Sequence, residues 1–248
     1  MVCVLHPKQT DSEAGSLVSE NGLKLARTRA AKKGIIKGDD LTRSFAWLRP
    51  NDLIWNYVIN NYLMGQDPPA FDVLFWNADA TNLSASLMGD FLTIFETLAF
   101  VNHGEVEMVD HKVDLSKVDN DLFILGGVTD HITPWKATYR STQLFGSKDV
   151  TYVLSHSGHM QAILNPPGNP KAKYYLPKQP ENGKPAKLSK TADDWLASTE
   201  EVAGSWWPFW MEWLQKRGGP KKKAAKQVGN KAYPAQEAAP GLYVLEEC

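Results

Sequence analysis

The sequence predicts an α/β fold, and three consecutive segments in its middle predict it. Residues 121–127, "DLFILGG", are an apolar run closed by two glycines. Residues 133–146, "TPWKATYRSTQLFG", carry Pro134 near the start and Gly146 near the end, which is how a helix is punctuated. Residues 149–155, "DVTYVLS", are a second apolar run. Strand, helix and strand with a crossover of this length make a βαβ unit, whose strands run parallel.

The other elements follow in order. "VCVL", residues 2–5, reads as a short buried strand. A domain seldom opens on a core strand, so the expectation is a truncated chain. "SLVSENGLKLARTRAAKKG" reads as a solvated helix with Leu23, Ala26, Ala30 and Ala31 on one face, stopped by Gly34. Its basic face leaves polyanion binding as a lesser reading. "RPNDLIWNYVINNYLMG" is a helix with Pro50 in the first turn, Asp52 at the positive end and Gly65 as its stop. Leu53, Trp55, Val58, Ile59 and Tyr62 give it wide apolar coverage. After a Pro-marked loop, Phe71 to Trp76 reads as a strand covered on both faces. "SASLMGDFLTIFETLAFVN" is an amphipathic helix with Leu87, Phe91, Ile94, Phe95 and Leu98 on one stripe.

Beyond the βαβ unit, "SGHMQAILNPPGNP" is a loop entering a helical turn that Pro166 stops. "PKAKYYLPKQPENGKPAKLSK" is rich in Pro and Lys and reads as a surface loop. "TADDWLASTEEVAGSWWPFWMEWLQKRGG" reads as two helices, the first capped by Thr191 with Asp194 three residues on. Trp206, Trp207, Trp210 and Trp213 crowd the second. Packing on the sheet is the favoured role for them, over a lipid- or granule-facing patch, because tryptophans bury most of their area. The rest is a polar, irregular tail.

Composition narrows the function. The 248 residues are 43% hydrophobic and 22% charged, with a formal net charge of -1. That charge gives no global pull toward nucleic acid or a membrane surface. No apolar run approaches the roughly 18 residues of a membrane span. No secretory leader is recognisable, and the two cysteines, Cys3 and Cys248, form no disulfide framework. The expected compartment is the cytoplasm. No HxH, HExxH or CxxC spacing supports a metal, and no cofactor is expected.

Functional side chains of an open parallel sheet cluster beyond the C-terminal strand ends. Asp130 follows the first strand of the βαβ unit there, and His159 follows the second. If the strands are neighbours, both emerge on one edge. A carboxylate accepting from one ring nitrogen fixes the histidine tautomer and stabilises the imidazolium formed when the other takes a proton. This is the acid–base end of a triad in the order nucleophile, acid, base. A cap or turn role for Asp130 is the plain alternative, and His131 and His156 are rival bases. His131 is placed at a helix start, where it caps or lines the pocket, and His156 on the surface. The nucleophile elbow G-x-[S/C]-x-G does not occur, and Cys3 has no flanking glycine.

Taken together, "FAWLRPNDLIWNYVINNYLMGQDPPAFDVLFWNADATNL", "GGVTDHITPWKATYRSTQLFG", "VLSHSGHMQAILNPPGNPKAKY", "GSWWPFWMEWLQKRGG" and "YPAQEAAPGLYV" resemble the C-terminal part of polyhydroxyalkanoate synthases, from about residue 16 to the end. The ending leans toward the medium-chain-length type. The resemblance implies an α/β-hydrolase fold with a helical cap insertion, here without the N-terminal strands and nucleophile elbow. It implies an acyltransferase that polymerises (R)-3-hydroxyacyl-CoA into polyester and releases CoA, the acyl-CoA being substrate rather than cofactor. It places the family's aspartate on Asp130 and its histidine on His159, and leaves its box cysteine without a counterpart. This chain alone is therefore expected to be inactive. Substrate contacts are expected from His131, Trp135, Trp76, Asn77 and Asp79.

The implied organisation is 1–15, the end of the first half of the hydrolase core; 16–112, the cap; 113–170, the core with Asp130 and His159; 171–190, a surface loop; 191–217, helices packing on the core; and 218–248, the tail. Implied partners are the acyl-CoA, the growing polyester chain, the granule surface and a second copy in a homodimer. Two other classes stay open: a non-catalytic granule-associated paralogue that binds a synthase or the polyester, and an esterase or depolymerase of the same fold. The missing serine elbow counts against the last.

Overall fold

The computed structural model describes residues 3–6, 20–48, 50–70, 79–102, 104–178 and 188–246. The strand expected at Phe71 to Trp76 lies outside them. The chain divides into two compact units, Met1–Leu25 with Gly89–Arg217 and Ala26–Met88 with Gly218–Cys248.

Helix α1 spans Glu20–Lys33 and stops at Gly34, whose φ of +72° is one that glycine tolerates best. Strand β1, Ile35–Ile36, follows, then α2, Gly38–Leu48, with Asp39 and Asp40 in its first turn. The segment after Pro50 is helical as expected, but it is wound as two π-helical stretches, Asn51–Trp55 and Val58–Leu63. Gly65 ends it at φ +66°. Its apolar coverage is not matched by burial: Leu53, Trp55, Ile59 and Tyr62 are exposed. Strand β2, Leu83–Ser84, pairs antiparallel with β1. It leads into α3, Ala85–Thr97, where Leu87, Phe91 and Phe95 are also exposed. Among its described residues the tail is irregular apart from an isolated antiparallel bridge between Gly229 and Pro234 and a 3-10 turn at Tyr243–Leu245.

The unit that carries Asp130 and His159 is built on one mixed sheet. A small hairpin, β3 Val106–Met108 and β4 His111–Val113, precedes it. Strand β5 is Leu122–Gly127, helix α4 is Trp135–Ser141, and strand β6 is Val150–Ser155. β5 and β6 pair in parallel from Leu122↔Val150 to Gly127↔Ser155, as the βαβ rhythm predicts. Helix α5, His159–Ile163, follows β6 directly.

Here the structure corrects the sequence reading. The stretch expected as a loop contains strand β7, Lys173–Pro177, antiparallel to β6. The stretch expected as two helices contains α6, Ala192–Ala197, then strand β8, Thr199–Ala203, and only then α7, Trp207–Gln215. β8 pairs antiparallel with β7, so the sheet order is β5-β6-β7-β8. At the other end, Cys3 to His6 are not in a strand. The N–H groups of Leu5 and His6 both donate to Ser141 Oγ, at 2.9 and 3.3 Å.

Strand alternation sorts the core onto two faces. Ile124, Tyr152 and Leu154 point to one side and pack with Tyr139, Ala192 and Trp195. Phe123, Leu125, Val153 and Tyr174 point to the other and pack with Trp206, with Trp207, Phe209, Trp210 and Trp213 against them. Covering both faces requires apolar residues at successive positions, which is why both strands read as unbroken apolar runs. The first face is aromatic at its centre. Tyr139, Tyr152 and Trp195 sit with ring centroids 4.8–5.4 Å apart, two of the three pairs edge-on. Such pairs add about 0.5–1.5 kcal/mol each beyond the area they bury. The second face holds the tryptophan-rich helix, so those indoles pack on the sheet. Thr191 caps α6, accepting from the Asp194 N–H at 3.1 Å and donating to Asp194 Oδ2 at 2.7 Å.

Candidate active site

The loops after β5 and β6 leave the same edge of the sheet because the strands are parallel neighbours. Backbone bonds tie the two loops together. Val128 N–H donates to Ser155 O at 2.9 Å, and Thr129 N–H to Ser157 O at 3.2 Å. Two glycines make this approach possible. A Cβ on Gly127 would sit 2.9 Å from both Ala162 Cβ and Ser157 O. A Cβ on Gly126 would overlap the Tyr152 hydroxyl and come within 3.0 Å of Thr138 Oγ1. That hydroxyl is anchored, bonded to Thr138 Oγ1 at 2.8 Å and donating to the Trp135 carbonyl at 2.9 Å. β6 is thereby fixed to the start of α4, just after the Asp130 loop.

Asp130 closes a tight turn, its N–H donating to Gly127 O at 3.1 Å. Its side chain is 1% exposed. Oδ1 accepts from the N–H groups of Ile132 and Thr133, at 2.9 and 2.8 Å. Oδ2 accepts from Thr133 Oγ1 at 2.6 Å and faces His159 Nδ1 at 2.9 Å. A buried carboxylate needs this many donors to offset lost hydration.

His159 is the first residue of α5, after Gly158. Its side chain is 31% exposed, and its Nδ1 edge meets Asp130. Two indoles hold the helix it starts. Trp206 Nε1 donates to Ala162 O at 2.8 Å, and Trp207 Nε1 to Ile163 O at 3.0 Å. Ser205 Oγ donates to Asn165 O just beyond. The tryptophans of the C-terminal helix therefore brace the element that carries the histidine. With Nδ1 donating to a carboxylate, the neutral ring offers Nε2 as a proton acceptor.

The remaining expected residues are placed differently. His131 lies in a bend, half-buried, and α4 starts four residues later at Trp135, so His131 does not begin a helix. His156 is half-buried rather than surface-exposed, and its N–H donates to Lys173 O at 2.9 Å. Trp135 lines a cavity of about 300 Å³ with Val128, Leu154, Tyr175, Leu196, Thr199 and Glu201. Asp79 is exposed in the other compact unit, and Trp76 and Asn77 lie outside the described residues. Burial pushes the Cys3 thiol pKa up, which keeps it protonated and argues against an activated nucleophile. Thr133, which touches both members of the pair, was not anticipated. Its signal in the sequence is a hydroxyl three residues after the aspartate, the spacing of a side-chain-capped turn.

A mixed sheet with a buried carboxylate bonded to a histidine beyond the ends of adjacent parallel strands defines a class of protein. A family model described as alpha/beta hydrolase fold matches residues 21–166, and the chain belongs to that family. More particularly, it is similar to poly(3-hydroxyalkanoate) polymerase 2 of Ectopseudomonas oleovorans, 46% identical over 95% of this chain and 40% of the relative. Poly(3-hydroxyalkanoate) polymerase 1 of the same organism is 43% identical over 95% of this chain and 41% of its own length. The poly(3-hydroxyalkanoate) polymerase subunit PhaC of Cupriavidus necator is 40% identical over 85% of this chain and 34% of its own length. The chain thus spans about two fifths of the length of the first two relatives. Among the described residues, no helix is long and apolar enough to cross a membrane.

Proposed function

We propose that these 248 residues carry the acid–base half of a polyester synthase that polymerises (R)-3-hydroxyacyl-CoA and releases CoA. The observation that carries this reading is the 2.9 Å bond between His159 Nδ1 and buried Asp130 Oδ2, at the strand-end edge where open α/β sheets hold their functional groups. The names of the relatives give the product, a poly(3-hydroxyalkanoate); the acyl-CoA substrate is what the family resemblance implies.

In this reading His159 Nε2 takes the proton of a cysteine thiol. The thiolate attacks the acyl thioester and displaces CoA thiolate, which leaves with that proton. The hydroxyl of a second acyl group then gives its proton to His159 and attacks the enzyme thioester; the ester C–O bond forms, the C–S bond breaks, and the released cysteine thiolate takes the proton back from His159. Asp130 orients the ring and stabilises its charged form. The cysteine lies outside these residues, since no G-x-[S/C]-x-G elbow occurs in them. Trp135, which lines the cavity, and His131, next to Asp130 in the chain, are assigned to contacts with the acyl group. The growing chain and its granule are the partners this chemistry requires.

The test is CoA release from 3-hydroxyacyl-CoA by the 248-residue chain, alone and mixed with the cysteine-bearing half of a relative. Release only in the mixture is expected. Release by the chain alone, abolished by His159→Ala, would overturn the division of labour.

A further inference from the structure

We propose that the Thr133 hydroxyl is a positioning group that sets how strongly Asp130 holds His159. This deepens the reading of the pair given above and rests on it. Oδ2 of Asp130 has two donors: Thr133 Oγ1 at 2.6 Å and His159 Nδ1 at 2.9 Å. The two donor atoms are themselves 3.4 Å apart, so three side chains close a triangle on one carboxylate oxygen. Oδ1 is occupied separately, by the Ile132 and Thr133 backbone N–H groups.

The chemistry follows from competition at a shared acceptor. A hydrogen bond to a carboxylate oxygen draws charge from it, and the threonine bond has the short length of a charge-assisted O–H···O⁻ contact. The hydroxyl therefore moderates the bond that Oδ2 offers the imidazole. With Nδ1 protonated, Oγ1 at 3.4 Å is also a second, weaker acceptor for the ring. Without the hydroxyl, the two backbone donors keep the carboxylate oriented, and Oδ2 is left to His159 alone. The Asp130–His159 bond then strengthens.

The test uses Thr133→Val and Thr133→Ser in the 248-residue chain with imidazole nitrogens labelled. The His159 Nδ1 proton resonance is recorded with the ring neutral. Thr133→Val is expected to move it downfield, and Thr133→Ser to leave it at the wild-type position. Amide dispersion reports folding in the same sample, and Thr133→Ala replaces the valine variant if that one does not fold. A resonance unmoved or moved upfield in the folded hydroxyl-free variant overturns the proposal. The readout needs no turnover, so it fails or succeeds independently of the synthase reading.

Discussion

The Nδ1 atom of His159 lies 2.9 Å from Oδ2 of Asp130, a carboxylate whose side chain is 1% exposed and whose other oxygen takes two backbone N–H groups. An amide at this position has one oxygen and one nitrogen to offer. Its oxygen can serve the backbone donors or the imidazole, not both. Asp130→Asn is therefore expected to release the histidine tautomer and lower turnover by about 10³–10⁴-fold in a polymerase carrying this chain. Steady-state CoA release measures it, and a loss under tenfold would mean Asp130 is a turn residue only.

Gly126 and Tyr152 present a steric prediction. The Tyr152 hydroxyl occupies the space a Cβ at Gly126 needs, and it is anchored to Thr138 and the Trp135 carbonyl. Gly126→Ala should cost about 1–3 kcal/mol in a denaturant titration. Adding Tyr152→Phe should cost less in the Gly126→Ala background than in the wild type, because it removes the overlapping atom. Simple additivity of the two changes would contradict the overlap.

The indole of Trp206 donates to the Ala162 carbonyl, in the helix that begins with His159. Trp206→Phe keeps an aromatic ring in the core but leaves that carbonyl unsatisfied. The expected cost is about 1–3 kcal/mol. Hydrogen exchange in residues 159–163 should speed up more than in β5 or β6. Uniform acceleration across the unit would show that the indole acts on global stability alone.

Burial pushes the Tyr139 and Tyr152 hydroxyl pKa values well above the ordinary value near 10. A raised folded pKa means the folded state keeps a proton that the unfolded chain gives up. The resulting stability is complete below about pH 10 and falls as pH rises, by about 1.4 kcal/mol per pH unit for each tyrosine. Denaturant midpoints should fall steeply above about pH 10, and Tyr152→Phe should make the slope shallower. A slope unchanged by that substitution would contradict burial of an ionisable hydroxyl.

The parts of the fold legible in the sequence are those where one physical requirement dominates. β5 and β6 are covered on both faces and show it as apolar runs. β7 and β8 were missed because their charges are satisfied across the pair. Lys173 Nζ meets Glu201 Oε2 at 2.9 Å, and the Tyr175 hydroxyl donates to the same atom at 2.9 Å. In sequence these charges read as loop composition, and "TEEVA" carries the charged residues typical of an edge strand. "VCVL" failed in the opposite direction. Its apolar content does not reveal that Ser141 Oγ, rather than a neighbouring strand, accepts from Leu5 and His6. That Asp130 and His159 would meet was legible because strand ends fix where such residues emerge. Thr133 was not, because its part in the pair depends on the turn that brings its hydroxyl to Oδ2.

The central claim is that His159 is the base of an acyl transfer. It is tested most directly by grafting this chain in place of the matching segment of the Ectopseudomonas oleovorans polymerase 2. The first turnover with 3-hydroxyacyl-CoA is then followed by rapid mixing. The account predicts a burst of CoA equal to the enzyme present, and its loss in His159→Gln with the fold intact. A full burst from the folded His159→Gln enzyme would contradict it.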